Sequence, residues 1–492
     1  MLVLLILFNI SSSQVISAGE AKPVKLSVIL DHAVKNNRTL KEVKLTIKQL
    51  DSAKDAALAV FDTRISAKTN FVETHAKAVP GQFMNTTMLR KLDYELGISR
   101  VLPTGGIVGV TFSGYRQDQD MEIAFGGPPQ VINSKVFSNN LTFMVSHPLL
   151  RGFGTEITKL NIEKATVNIE AEKIAGQVKA ETMVRDIINA YWELRYAWKQ
   201  WETLQGGIEV LKSQLKLTQA LLTTGRAKTS DLLAVKSALA QRESDILSFR
   251  TSIVAASIKL KTLIGMDTGK PPWILKPGEE LELPSFKVPE NLISVAIKRS
   301  KDLAYLKKKI ETLNFEMKAA ENSMKPQLDL TVTAGPKGDN SEFSSSLSRL
   351  IKFEAFQVTA GLTFSMSVEN SAAKATMAQV KVTKALMDLQ ATNLAQALAG
   401  SAVLAVETIR TALRKIKAGE LSVKNAQLHL DNEKSLFEMG RGTNHSILLR
   451  LTELDQAKLT LLSAKKELII AWTQIQALSG DLLKNNQIII PE

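Results

Sequence analysis

The chain has 492 residues, 45% apolar but only 5% aromatic, with no cysteine and a formal charge of +13. The missing cysteine excludes disulfide frameworks, thiolate metal sites, cysteine nucleophiles and a lipidated N-terminal cysteine, and the scarcity of aromatics points to long helices packed on small side chains rather than a compact globule. The Lys and Arg residues are spread along every segment, so the charge reads as solvated helix faces and leaves no nucleic-acid footprint.

Residues 1–21, MLVLLILFNISSSQVISAGEA, join an apolar run from Leu2 to Phe8 to small residues at Ala18, Gly19 and Ala21. This is the pattern of a secretory signal peptide, although no cation precedes Lys22. No later stretch approaches roughly 18 consecutive apolar residues, so insertion into a membrane by α-helices is not expected. An opening helix is predicted over 25–62. From 63 to 150 the helical period gives way to a period of two: in FSNNLTFMV, Phe137, Leu141, Phe143 and Val145 alternate with Ser138, Asn140 and Thr142. Principal strands are predicted at 65–76 and 136–147, with an extra hairpin at 92–101 and 105–116 around LPTGG. Asp118, Asp120 and Glu122 alternate in a polar loop and supply too few ligands for calcium.

Residues 155–222 contain no proline and predict one helix of roughly 100 Å at 1.5 Å per residue. Trp192, Trp198 and Trp201 fall on it at about helical spacing, as packing residues would. The stretch LLTTGRAKTSDLL (221–233) then turns the chain into a return helix over 229–264. There Leu232, Val235, Leu239, Ile246, Phe249 and Ile253 keep spacings of three and four, interrupted by Arg242. Residues 266–289 are rich in proline (Pro271, Pro272, Pro277, Pro284 and Pro289).

The plan then repeats. AIKRSKDL (296–303) matches AVKNNRTL (33–40), opening a helix over 288–323; strands follow at 327–335 and 354–367, the latter with Phe356, Val358, Ala360, Leu362 and Phe364 on one face. A second proline-free helix covers 371–437, LFEMGRGTNHSILL (436–449) repeats the Gly-Arg turn, and a return helix covers 446–478, with Arg450 as its charged interruption. An offset of 215 (440 − 225) aligns Gly225-Arg226 with Gly440-Arg441, and Gly265 with Gly480. The openings align at 263 (296 − 33), so about 48 extra residues belong to the first half, in the region 63–150. Each Gly-Arg turn is expected to cap an antiparallel helical hairpin, with Gly in the left-handed conformation. The strands, apolar on one face and small or polar on the other, suit either half of a soluble sandwich or a transmembrane barrel. Four principal strands are too few for a barrel, which needs about eight, so other chains must complete it.

The strand running into HPLLRGFG (147–154), the two helix-Gly-helix tips, the closing LIG (263–265) and LSG (478–480), and KPQLDLTV (325–332) after a helix together resemble the TolC family of outer-membrane efflux channels. The resemblance covers nearly the whole mature chain; VENSAA (368–373) departs from it where HPLLRG stands in the first half. It implies a mainly α fold with a small β part, built from two repeats (22–265 and 290–480). In a homotrimer the long coiled-coil hairpins would form an α-barrel tunnel in the periplasm, continuous with a 12-stranded transmembrane β-barrel in outer-membrane lipid. Residues 266–289 and the tail 481–492 would form an equatorial belt. The implied role is a passive exit duct of a tripartite efflux or type I secretion system, docked by a periplasmic adaptor and driven by an inner-membrane pump or ABC exporter, with no catalysis, cofactor or metal. Gly225, Arg226, Gly440 and Arg441 would dock the adaptor. Asp231 would line the periplasmic gate, with Ser446 and Leu449 standing where the family often carries further acids. Asp231 reads equally as the acid of a helix N-terminus.

The competing reading is a soluble periplasmic coiled-coil scaffold or adaptor. No enzyme constellation is present: His32, His75, His147, His429 and His445 are scattered, GMDTGKP (265–271) lacks the spacing and hydroxyl of a phosphate loop, and RGFGTEI (151–157) lacks the third glycine of a dinucleotide site.

Overall fold

The computed structural model describes residues 23–79, 81–123, 130–270, 274–281 and 288–488. The expected signal peptide, Pro271, Pro272 and Pro284 of the linker, and the last four residues of the tail lie outside the described residues. The first half contains β1 (Pro23–Val24), α1 (Leu26–Asn36), α2 (Arg38–Leu58), β2 (Arg64–His75), β3 (Met84–Val101), β4 (Ile107–Ile123), β5 (Gln130–Pro148), α3 (Thr155–Thr223) and α4 (Thr229–Leu263). Then come β6 (Lys276–Pro277), α5 (Leu292–Arg299), α6 (Lys301–Ser323), β7 (Gln327–Asn340), α7 (Phe343–Ile351), β8 (Ala355–Ser365), α8 (Ser371–Glu438), α9 (Asn444–Ser479) and α10 (Leu482–Asn485). Two compact units emerge, each drawing on both halves of the chain: a sheet unit (Ile47–Ala171 and Leu306–Leu389) and a helical unit (Met1–Thr46, Glu172–Tyr305 and Gln390–Glu492).

The sheet unit is one antiparallel sheet in the order β2-β3-β4-β5-β7-β8. The four principal strands and the expected extra hairpin thus lie together in one six-stranded sheet. The extra hairpin is not an appendage, because β3 and β4 run 18 and 17 residues and separate β2 from β5. Register explains why. Ile65, Ile98, Val110, Phe143, Ala334 and Val358 are successive cross-strand partners, so one apolar row crosses all six strands. A row on the other face reads Lys68, Glu95, Ser113, Asn140, Lys337 and Ala355. The apolar row is exposed: Ile65, Phe143 and Val358 are 70%, 51% and 62% exposed, and among the described residues no second sheet covers them. Higher on the same face α7 sits against β5, with Asn139 Nδ2 donating to Ser346 Oγ at 2.8 Å and Phe343 edge-on to Phe137.

The turn between β3 and β4 is fastened to the bend that leads into α3. Thr104 O accepts the Gly154 N–H at 3.1 Å, and a Cβ on Gly105 would lie 2.4 Å from Gly152 O. Gly105, Gly152 and Gly154 all have positive φ (91°, 87° and 100°), which L side chains rarely adopt. RGFG is thus the corner from strand to helix.

In the helical unit, the expected single opening helices are each broken, at Asn37 and at Ser300. Asn37 is extended (φ −62°, ψ 131°); its Oδ1 accepts the Thr39 N–H at 2.8 Å and its Nδ2 donates to Leu263 O at 2.8 Å, a local alternative to the helical ladder. The main core gathers Tyr191, Leu194 and Trp198 of α3 with Ile253 and Leu260 of α4. Trp198 Nε1 donates to Leu275 O at 2.9 Å and the Tyr191 hydroxyl to Val24 O at 3.2 Å, so the tryptophan stretch straps the short β1–β6 ladder onto α3. A second core interleaves Ala402, Ala405, Ile409 and Ala412 of α8 with Ala464, Leu468, Ala471 and Ile475 of α9.

Helix α8 is long and apolar enough, by length and composition, to cross a membrane, and only 11% of its apolar window is buried. The pattern is a stripe, however: exposed Val382, Leu389 and Val403 share one heptad position, and Leu386, Leu421 and Leu428 the position four residues on. A stripe of this kind suits another helix, whereas a bilayer span is apolar all round.

Candidate gate at the helical tips

Both tips end their incoming helix by the same device. At the first, Gly225 (φ 72°) donates to Leu222 O at 3.1 Å and Arg226 to Leu221 O at 2.9 Å; at the second, Gly440 (φ 73°) donates to Phe437 O at 2.9 Å and Arg441 to Leu436 O at 2.8 Å. This is the Schellman pattern, which satisfies the last carbonyls and requires a left-handed residue. Gly225, Arg226, Gly440 and Arg441 are all exposed, and a Cβ on either glycine would touch nothing within 4 Å. Space does not demand glycine at either tip; backbone conformation does.

The restarts differ. At the first tip Asp231 Oδ2 accepts the Lys228 N–H at 3.0 Å, so its carboxylate caps α4. At the second, Thr443 Oγ1 accepts the Ser446 N–H at 3.2 Å and lies 3.0 Å from the Ser446 hydroxyl, so two hydroxyls replace the acid. Leu449 is exposed on the first turns of α9.

Behind the second tip lies a buried polar clasp. Asn444, 1% exposed, accepts from Gln214 Nε2 at 2.7 Å and exchanges hydrogen bonds with Thr218 Oγ1 at 3.1–3.2 Å, tying the first residue of α9 to α3. Further along, Arg242 of α4 forms a buried ion pair with Asp455 of α9. Burial pushes the Asp455 carboxyl above the usual carboxylate range, and the hydrogen bond and charge of Arg242 oppose that push. A Cβ on Gly207 of α3 would lie 2.7 Å from Arg242 Nη1 and 3.2 Å from Asp455 Oδ2, so this mid-helix glycine makes room for the pair. An open cleft of about 680 Å³ adjoins the pair, lined by Gly206, Gly207, Lys434, Asp455 and Lys458. Apolar packing of Leu211, Leu430, Phe437, Ile447, Leu451 and Leu454 surrounds the clasp.

The sequence brought the tip glycines, their arginines, Asp231 and Ser446 into view, and these occupy matching places. It missed Asn444, Gln214, Thr218 and Asp455, whose partners lie more than 200 residues away. Two local signals could have pointed there: the charged Arg242 within an apolar seam, and the Gly206-Gly207 pair inside a long helix. Arg450, the other charged interruption, makes an ordinary ion pair with Glu453 on its own helix. Among the described residues, no group of three His, Asp or Glu is placed to hold a metal ion.

Residues 107–266, from β4 to the end of the first return helix, match the family model described as outer membrane efflux protein. No curated protein matches the chain by sequence. Solved structures match over nearly its whole length. The outer-membrane channel OprN is 14% identical with a TM-score of 0.69, covering 93% of this chain and 90% of that one. The outer membrane protein VceC of Vibrio cholerae is 13% identical (TM-score 0.67, covering 93% and 96%), and the open MtrE outer membrane channel of Neisseria gonorrhoeae is 15% identical (TM-score 0.62, covering 94% and 90%). At such identities these structures speak for the fold. Residues 107–266 thus match the outer membrane efflux protein family, and 93% of the chain shares the fold of solved outer-membrane channels.

Proposed function

We propose that the protein is the passive exit duct of a tripartite efflux or type I secretion system, acting as a homotrimer. The observation that carries this reading is the exposed apolar row across the sheet, backed by a polar row on the other face. A soluble sandwich needs a second layer over that row. A barrel wall needs lipid there and water behind it, and the 11 residues of β8 suit a tilted membrane strand, which takes about 9–11. The exposed heptad stripe of α8 is the second support, since it leaves a coiled-coil seam for a neighbouring copy to fill. Extraction from an outer-membrane fraction only with detergent, as a trimer, is the expected result; recovery as a soluble monomer contradicts the duct and favours a scaffold.

In this reading a periplasmic adaptor docks on Gly225, Arg226, Gly440 and Arg441, and an inner-membrane pump or ABC exporter drives cargo. Asp231, Ser446 and Leu449 border the periplasmic gate, with the one acid on the first tip. Docking needs bare glycine at the turns, so Gly225→Trp and Gly440→Trp should abolish export while trimer and insertion survive. Normal export from both variants contradicts tip docking.

A further inference from the structure

We propose that the cleft between α3, α8 and α9 is a binding site for an extended phosphorylated anion, held by Lys434, Lys458 and Lys465 over the bare backbone of Gly206. The balance of charge in the cleft is the first support. Its wall carries three acids, Glu202, Glu280 and Asp455, and each already has a cation. Arg195 reaches Glu202 at 3.3 Å and Glu280 at 2.5 Å, Lys199 reaches the same two at 3.1 Å and 2.8 Å, and Arg242 pairs with Asp455. Three cations thus match three acids. Lys434, Lys458 and Lys465 are left over. All three line the cleft and are half-buried, and among the described residues none has an ion pair or a hydrogen bond. Lys458 acts on Asp455 through space, but that carboxylate is taken by Arg242. A cation drawn part-way out of water is ordinarily paired, so three such lysines around one cavity mark a place for negative charge.

The floor of the cleft is the second support. Gly206 and Gly207 lie inside the 69-residue helix α3, where each glycine costs roughly 1 kcal/mol against alanine. Gly207 has a packing reason, because it makes room for Arg242 and Asp455. Gly206 has none: a Cβ there would meet nothing within 4 Å. Its missing side chain deepens the cleft and lets a ligand approach the helix backbone.

The chemistry of the donors sets the class of ligand. Both nearby arginines are spent on carboxylates, so the cleft offers ammonium point charges instead of the planar fork that grips a carboxylate at two points, a set that suits phosphate. Lys458 and Lys465 stand two turns apart on α9, about 10 Å at 1.5 Å per residue, and Lys434 stands on the neighbouring helix. Charges so spread call for an extended anion with several phosphate groups, for which a cleft of about 680 Å³ has room. Because α3 belongs to the first hairpin and α8 and α9 to the second, a ligand seated there joins the two.

The purified full-length protein in detergent, titrated calorimetrically with inorganic tripolyphosphate at low salt, should bind one equivalent per chain. Orthophosphate should bind more weakly by about tenfold, and Lys458→Gln combined with Lys465→Gln should raise the Kd for tripolyphosphate by about tenfold or more. Gly206→Leu keeps every charge, favours the helix and fills the floor; it should weaken binding as much as the lysine pair does. Bound tripolyphosphate should also slow hydrogen exchange in α9. Absence of saturable binding, or binding indifferent to the lysine pair, overturns the site. Binding that is lost in the lysine pair but untouched by Gly206→Leu shows attraction to a charged surface only, and overturns it as well. Neither readout depends on export, so failure here leaves the duct reading intact.

Discussion

At the first tip α4 restarts on the Asp231 carboxylate and leaves Gly225 and Arg226 in solvent; at the second, α9 restarts on Thr443 and at once buries Asn444 between Gln214 and Thr218. The turns themselves are the same to within a degree of φ at the glycine. Duplication therefore preserved the backbone device and let the attachments diverge. The two hairpins are tethered through α9 at two levels, Asn444 near the second turn and Asp455 further along, whereas at the first turn the Asp231 carboxylate bonds the start of its own helix. A gate that opens by moving α9 away from α3 and α4 has to break both tethers.

The largest expected effect comes from the deeper tether. Asp455→Ala leaves the Arg242 cation buried without its partner and should weaken the packing of α9 by about 3–5 kcal/mol, read as lost hydrogen-exchange protection in α9. The double variant Arg242→Leu with Asp455→Leu should restore most of it, because well-packed apolar residues replace an ion pair at little cost. If the single variant is neutral, Asp455 is no tether. Next is Asn444→Leu, which strands the Gln214 amide and the Thr218 hydroxyl; about 1–3 kcal/mol should be lost from the contact between the two hairpins.

The glycines should behave alike. Gly225→Ala and Gly440→Ala each force a side chain into the left-handed region without any clash, at roughly 1 kcal/mol apiece. A marked difference between them would show that the second turn is constrained by more than its backbone. The smallest effect belongs to the caps: Asp231→Ala and Thr443→Ala should each cost about 1 kcal/mol of local stability. Only the first should also change cation block of single-channel current in a planar bilayer.

The deeper tether also predicts a pH dependence. Because burial raises the folded-state pKa of Asp455, the folded state holds that proton more tightly than the unfolded chain does. In the window between the ordinary carboxylate value and the raised one, this group therefore makes stability fall as pH rises. Comparing stability against pH for wild type and Asp455→Asn should reveal that slope in the wild type alone.

The sequence by itself determined what is local. Heptad spacing delivered α3, α4, α8 and α9 to within a few residues, because a helix satisfies its own backbone and shows its buried side every three or four positions. The Gly-Arg turns were legible because only a left-handed residue completes the helix end. The breaks at Asn37 and Ser300 were not, since the partners that settle the first of them, Leu263 above all, lie far along the chain. The length of the β3–β4 hairpin and its place inside the sheet were the larger miss. Around Arg90, Lys91, Asp93 and Glu95 the alternation of β3 is masked by charge, and register alone shows that Leu96 and Ile98 continue the apolar row of Ala67 and Ile65. Sheet pairing and the Arg242–Asp455 and Asn444–Gln214 contacts join residues that only the tertiary structure brings together, so the tertiary structure decided how wide the sheet is and which hairpin is held.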